Sequence, residues 1–448
     1  MTQDYAALYS SHVVELQKRW EDAMEAESLP GILVHSGTPL VAFQDDFEYA
    51  FKPNPNFLAW LPLTHHHDSA LLVRPGVKPL LFFYQPDDYW YLPPSDPESW
   101  WARHFEVQVV SQADDWQQGL LDCVNGLSHG LSEVAAIGDA PSLEAVFSSN
   151  MINPASLVNR LQVARTRKTA YEITCMQDAG RLAAVAHREA ERAFRAGKNE
   201  LVIHQRYLAA CGQTDAQMPY HNIVALNDHG AVLHYQGRST ERPARSLSFL
   251  IDAGCMVNGY ASDITRTYAS QKGVFADLIS AMNDMQLALI ETIRAGVDYR
   301  DLHLAAHQEI AQILKDFDII NVSADEAVDS GLSSVFFPHG LGHFIGLQTH
   351  DVMGLVDDSG QAIPRPEGHP FLRLTRVLES GNVLTVEPGL YFIEPLLRKW
   401  KQEGDSSVIN WKRVDELMPF GGIRIEDNVV VGEGGCDNLT RRAFSELE

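Results

Sequence analysis

Asp252, Asp263, His343, Glu387 and Glu426 lie in four short motifs of the second half of the chain: LIDAGCMVNGYASDITRTY, FPHGLGHFIGLQTHD, LTVEPGLYF and GGIRIEDN. Four carboxylates and one imidazole carry more negative charge than a single divalent ion requires, and the set suits two hard cations sharing bridging oxygens. Asn258-Gly259 stands between two apolar, strand-like runs, where Asn-Gly signals a hairpin because both residues tolerate positive φ. With Val257 opposite Tyr260, Asp263 falls opposite Gly254, so its carboxylate is the diagonal neighbour of Asp252 on one face. Alternation in Val383-Leu384-Thr385-Val386-Glu387 puts Val383, Thr385 and Glu387 on one face, and Pro388-Gly389 stops the strand. In Gly422-Ile423-Arg424-Ile425-Glu426 the isoleucines face one way and Arg424 and Glu426 the other, which lets Arg424 orient a carboxylate. Any one of these acids reads equally as a solvated side chain, a turn cap or half of a surface ion pair. The apolar runs around them, and the set taken together, favour a metal centre.

The elements that must position these groups divide near residue 165. Before it, Gly31-Ile32-Leu33-Val34, Ala70-Leu71-Leu72-Val73 and Pro79-Leu80-Leu81-Phe82-Phe83 alternate with amphipathic stretches, the pattern of an α/β domain over residues 1–164. The charged segment Arg165-Thr166-Arg167-Lys168-Thr169 marks the boundary. It opens a helix in which Ile173, Met176, Ala179, Ala183 and Ala186 recur at helical spacing. Further helices are expected over Phe275–Arg294 and Tyr299–Phe317, flanking a curved antiparallel sheet in an α+β domain over 165–448. The aromatic clusters Tyr89-Trp90-Tyr91 and Trp100-Trp101 are expected in a core or an interface.

The 448 residues, 45% of them apolar, can build sizeable cores, while a net charge of −24 argues against nucleic acid or an anionic membrane as partner. Met1–Trp20 lacks the basic start and apolar core of a signal peptide, and no apolar run is long enough to span a bilayer, so the cytoplasm is the expected compartment. Five scattered cysteines without a CxxC pair read as reduced packing residues.

The motifs in this order resemble the pita-bread metallopeptidases, specifically the Xaa-Pro dipeptidases (prolidases), and within them the bacterial branch also called organophosphorus acid anhydrolases. The similarity runs from Glu15-Leu16-Gln17-Lys18-Arg19 through Phe51-Lys52-Pro53-Asn54-Pro55 to the last strand. It implies that Asp252 and Asp263 bind one metal, that Asp263 continues to the second, that His343 and Glu387 complete the second, and that Glu426 bridges both. Two Mn²⁺ ions are implied, with Co²⁺ or another divalent ion able to substitute, and they would hold a bridging hydroxide that attacks the carbonyl before proline. Glu387 would relay the proton, His339, His350 and His234 would support or contact substrate, and Arg373 would hold the free carboxylate of a dipeptide.

Phe344 and Thr349 depart from histidine and valine in the family's pattern, which alters the pocket around Tyr220, Thr349 and His350 without touching a ligand. The resemblance also implies a homodimer or larger homo-oligomer whose N-terminal domain closes over a neighbour's site, making Asp46 and Trp90 candidate pocket residues. Hydrolysis of organophosphorus triesters and fluoridates is implied as a side activity. The alternatives are an Xaa-Pro aminopeptidase, a creatinase-like hydrolase, whose relatives lack these ligands, and a non-catalytic binding module of the same shape.

Overall fold

The computed structural model of the protein describes residues 5–124 and 130–447, so Met1–Asp4, the start of the N-terminal stretch read above, lie outside the described residues. The chain forms two compact units, Met1–Arg165 with Thr169–Glu172, and Thr166–Lys168 with Ile173–Glu448.

In the N-terminal unit five strands lie in the order Glu106–Val110, Leu80–Tyr84, Ala70–Val73, Ile32–His35, Ala135–Ile137. The inner pairings are antiparallel and the two outer ones parallel. Strands Ile32–His35 and Ala70–Val73 are buried throughout, because unbroken apolar runs suit a sheet covered on both faces. Helix Tyr5–Glu27 buries Tyr9, Val13, Leu16, Trp20 and Met24, one stripe at helical spacing. Of the aromatic clusters, Trp101 is buried and Trp100 packs edge-on against Tyr9, 4.9 Å between centroids. Tyr89, Trp90 and Tyr91 are instead 86%, 77% and 64% exposed, so they belong to no core of this unit.

The C-terminal unit packs helices against short antiparallel ladders. Helices Val274–Glu291 and Tyr299–Asp316 share one core with strands Val383–Val386 and Asp427–Val431 through Met282, Leu302, Leu384 and Val429. Along helix Ala170–Arg195, Ala183, Ala186 and Ala190 are fully buried in a second core with Phe249 and Ile251, where small side chains permit close approach. The expected curved antiparallel sheet is built of ladders, Thr265–Ala269 with Ser248–Asp252 and Ile223–Leu226, and Val383–Val386 with Asp427–Val431 and Cys436–Asn438. Single bridges, Thr265 to Glu426 and Phe344 to Leu384, join successive pieces, since the motif residues turn off the ladders to point their side chains inward.

The Asn258-Gly259 turn has φ of 52° and 90°, and Val257 pairs with Tyr260. The same register runs on to Asp252 opposite Thr265. In the charged boundary segment, Arg165 and Thr166 end helix Ala155–Thr166, and Lys168 is buried with its ammonium 2.8 Å from Asp351. A buried ammonium needs such a partner. None of the five cysteines forms a disulfide among the described residues.

Asp427 ties these pieces together. Its fully buried carboxylate receives Arg266 at 2.7 Å and Arg441 at 2.6 Å, joining three elements. Burial opposes ionisation, but the two guanidinium charges outweigh it and hold the carboxyl at about 2. A folded pKa below the unfolded one stabilises fully above about 4 and is lost as pH falls through about 2. Asp427→Ala is expected to destabilise by about 3–5 kcal/mol, because it takes the shared carboxylate from the largely buried Arg266 and the partly exposed Arg441. Denaturant unfolding at neutral pH checks this; a loss under about 1 kcal/mol would mean that the arginines find other partners.

Candidate metal centre

Each acidic side chain arrives from an element whose course is fixed by sequence. Asp252 ends strand Ser248–Asp252 and Asp263 follows the hairpin turn. Glu387 directly follows strand Val383–Val386, and Glu426 sits between strands Gly422–Arg424 and Asp427–Val431. His343 is set by the HGLGH loop, which lies so close to the next strand that a Cβ on Gly342 would collide with the Thr385 carbonyl oxygen. The Thr385 hydroxyl accepts from His343 N–H at 3.0 Å, and Thr385 N–H donates back to the His343 carbonyl at 2.9 Å.

The structure brings all five groups together. Asp263, His343 and Glu426, exposed by 5%, 3% and 2%, each offer a ligand atom within 4.8 Å of the others. His343 Nε2 lies 3.6 Å from Asp263 and 3.7 Å from Glu387. Its Nδ1 is 2.9 Å from the Phe344 carbonyl and donates to it, which leaves Nε2 for the acids. Asp252 accepts from Arg424 at 2.7 Å through Oδ2, while its buried Oδ1 has no partner among the described residues.

Proton affinities record the crowding. Burial, then the charges of Asp263 and Asp252, push Glu387 up to about 7 against the opposing His343 and Arg424. Burial and the other three acids raise Glu426 well above the usual carboxylate range, and burial raises Asp252 despite Arg424. Asp263 is lowered, because the adjacent His343 imidazole outweighs its burial. Burial disfavours a charged His343, yet Asp263 and Glu387 raise its pKa. Oxygen-rich, buried and short of positive charge, with an orphaned carboxylate oxygen, this donor set fits divalent cations.

Behind the acids runs a network of which sequence reasoning singled out only Arg424 and His339. That guanidinium is 4% exposed and meets Asp252, the Tyr391 hydroxyl at 2.8 Å and Thr265 Oγ1 at 3.3 Å, so protein groups occupy it. The Tyr391 hydroxyl in turn lies 2.8 Å from His339 Nε2, and His339 Nδ1 lies 2.9 Å from the Gly340 carbonyl. Both ring nitrogens of His339 are thus engaged, and burial with the Arg424 charge lowers its pKa to about 3. Thr265 Oγ1 donates to Glu426 at 2.8 Å, and Asn428 clasps Asp263 through backbone bonds of 2.9 and 2.7 Å. Tyr391, Thr265, Thr385 and Asn428 were not singled out from sequence. Their only signal was a place within the acidic motifs.

The remaining candidates lie further out. His350 is exposed, its ring 4.4 Å from that of His343 and its pKa lowered to about 4 by burial and by the His343 and Arg373 charges. His234 and Arg373 are likewise exposed, and the charge of His234 is felt by both His339 and His350. The Tyr220 hydroxyl is buried beside Asp252 and Asp263, and it and Thr349 Oγ1 have no partner among the described residues. Asp46 and Trp90 belong to the N-terminal unit and are exposed.

Comparison with known proteins adds three findings. Residues 174–433 match Metallopeptidase family M24, and residues 7–163 match the family described as Xaa-Pro dipeptidase, N-terminal domain. A Shewanella sp. (strain MR-7) Xaa-Pro dipeptidase is 47% identical over 434 residues, 97% of each chain, and one from Pseudoalteromonas atlantica is 45% identical over 444 residues, 98% of this chain and 99% of its own. Aminopeptidase P from Escherichia coli, solved with the inhibitor Pro-Leu, superposes with a TM-score of 0.72 at 23% identity, covering 96% of this chain and 95% of that one. At that identity the likeness is one of fold: an N-terminal domain followed by a pita-bread domain.

Thr265→Val removes the hydroxyl that orients Glu426 and abuts Arg424. Affinity for Mn²⁺ should fall by roughly 10–100-fold. Titration with Mn²⁺ checks this, and unchanged affinity would separate Thr265 from the centre.

Proposed function

The chain belongs to metallopeptidase family M24 and, within it, to the Xaa-Pro dipeptidases, and from that premise we propose that it hydrolyses Xaa-Pro dipeptides at a centre of two divalent cations. The observation that carries this reading is the buried convergence of Asp252, Asp263, His343, Glu387 and Glu426 with too little positive charge of their own. Asp252, Asp263, His343, Glu387 and Glu426 would together hold the two ions. Mn²⁺ is the proposed metal, and Co²⁺ can replace it. When bound, such a pair supplies Lewis acidity at the scissile carbonyl and makes water nucleophilic at neutral pH.

The protein groups do the rest. Glu387 accepts the proton of the attacking water and delivers it to the proline nitrogen as the amide bond breaks. Arg424 keeps Asp252 ionised and oriented, and His339 fixes Tyr391 behind it. At the exposed rim, His350 and His234 meet the substrate carbonyl, and Tyr220 and Thr349 shape the pocket. Arg373 pairs with the C-terminal carboxylate, which favours dipeptides over longer peptides. The X-Pro bond has no N–H to recognise, so the termini and the metals must define the register.

The same reading makes the protein a cytoplasmic homodimer or larger homo-oligomer. Its support is the lack of disulfides and the exposed apolar side chains Leu40, Phe43, Phe47, Tyr89 and Trp90, surface that a partner subunit would cover. Asp46 and Trp90 lie on these segments and would reach a neighbour's pocket. No helix among the described residues is long and apolar enough to cross a membrane.

Gly-Pro hydrolysis by Mn²⁺-loaded enzyme, lost on chelation and weak on tripeptides, tests the assignment. Arg373→Ala should raise KM for Xaa-Pro dipeptides by about tenfold or more and narrow their advantage over C-terminally amidated analogues, with metal content unchanged. Equal losses on both substrates would make Arg373 structural.

A tetrahedral phosphorus triester resembles the tetrahedral intermediate of amide hydrolysis, so organophosphorus triesters and fluoridates are proposed side substrates. Thr349→Val should change selectivity among triesters more than Gly-Pro turnover. Diisopropyl fluorophosphate hydrolysis, with and without chelator, checks the activity; no metal-dependent rate above buffer would remove it and leave the dipeptidase reading intact.

A further inference from the structure

Away from the carboxylates, three histidines of the C-terminal unit meet. His303 and His307 stand four residues apart on helix Tyr299–Asp316, on one face, and are 0% and 1% exposed. His369 comes from the irregular segment that leads into Arg373 and is only partly buried. The three ring centroids are 4.4, 4.6 and 4.7 Å apart, and one nitrogen from each ring lies within 4.8 Å of the others.

The hydrogen bonding of these rings is incomplete. His303 Nε2 and His369 Nδ1 are 3.0 Å apart, and His307 Nδ1 lies 3.0 Å from the Ser333 hydroxyl. His303 Nδ1 and His307 Nε2 are buried with no partner among the described residues. Two orphaned nitrogens in a protein interior are a cost that a ligand would remove. With Nδ1–H donating to Ser333, His307 presents the Nε2 lone pair, the arrangement of an oriented metal ligand. Burial lowers all three pKa values, helped at His303 and His307 by neighbouring rings, to about 2 for His303 and about 3 for His307, so the imidazoles are neutral and able to ligate.

We propose that His303, His307 and His369 form a separate site for one borderline-soft divalent metal, of which Zn²⁺ is the type, and that this ion fastens the segment carrying Arg373 to helix Tyr299–Asp316. The donor chemistry separates it from the catalytic centre. Three neutral imidazoles without a carboxylate favour Zn²⁺, Ni²⁺ or Cu²⁺, whereas four carboxylates favour hard cations. Two contacts reach toward the active centre. The Phe337 ring touches both His307, at 4.7 Å, and His339, at 4.9 Å. The Phe371–Arg373 backbone lies against the HGLGH loop, where a Cβ on Gly340 would sit 2.9 Å from Leu372 Cα. Metal occupancy here therefore restrains the segment from which Arg373 reaches the rim; that consequence rests on the role proposed for Arg373, whereas the site itself does not.

The test is equilibrium dialysis of the full chain against Zn²⁺ followed by elemental analysis. Wild type should hold about one Zn²⁺ more than His369→Ala and His307→Ala, and Asp263→Asn should keep that ion while losing the carboxylate-bound ones. Retention in Asp263→Asn together with loss in His369→Ala supports two independent sites. Equal Zn²⁺ content in wild type and His369→Ala overturns the proposal and leaves a packed histidine cluster, whatever becomes of the carboxylate centre. Should His307→Ala fail to fold, His369→Ala decides alone, because His369 is partly exposed and its truncation leaves little void. Zn²⁺ should also slow amide exchange in residues 365–376 by about tenfold in wild type and not in His369→Ala. Exchange that Zn²⁺ leaves unchanged would overturn the fastening.

Discussion

Four carboxylates cannot share a buried pocket unless positive charge comes to meet them, and most of the C-terminal unit is arranged around that requirement. The chain supplies two fixed answers, the Arg424 guanidinium at Asp252 and the His343 imidazole between Asp263 and Glu387. They are insufficient, as the raised proton affinities of Glu387 and Glu426 record. Stability has been given up locally to leave a deficit that a cation fills, and the surroundings must be stiff enough to keep the acids from dispersing.

That stiffness comes from polar groups with a single task each. Thr385 holds the backbone of His343, Asn428 holds that of Asp263, Thr265 turns Glu426, and Tyr391 spans Arg424 and His339. A salt-bridged layer lies behind them, where Asp427 pairs with Arg266 and Arg441 next to the acid it adjoins in sequence. The contrast between Glu426 and Asp427 is instructive. The two neighbours are both buried, but one faces acids and is raised while the other faces two guanidinium groups and is lowered. Alternation along the backbone is enough to give adjacent carboxylates opposite electrostatics.

Much of this was legible in the sequence. Asn258-Gly259 fixed a register that continues from Val257 and Tyr260 to Asp252 and Thr265, because a two-residue turn of that type leaves no freedom to slip. Two helices begin within a residue of where they were expected, at Val274 and Tyr299, and the first begins at Ala170, three residues before its periodicity. What could not be read were contacts between residues of ordinary type far apart in the chain. A threonine in a strand carries no mark that its hydroxyl will turn toward Glu426, and His303, His307 and His369 come from two elements whose meeting no local pattern announces. Lys168 is a further case, since nothing in its local sequence marks that its ammonium will meet Asp351, 183 residues on. Tyr89 and Trp90 lie in no core of the chain, so of the two places that their aromatic density suggested, an interface is the one still open.

The clasp between Asn428 and Asp263 has a temporal meaning. Asp263 is placed by a residue that leaves the ribosome 165 positions later, and Glu426 travels in that same late segment. While the chain is being made, the hairpin can form but its two acids have neither their bridging partner nor their backbone anchor. The centre is consequently complete only once strand Asp427–Val431 pairs with Val383–Val386 and brings Glu426 and Asn428 into place. A chain that lacks this late segment lacks both Glu426 and the side chain that anchors Asp263.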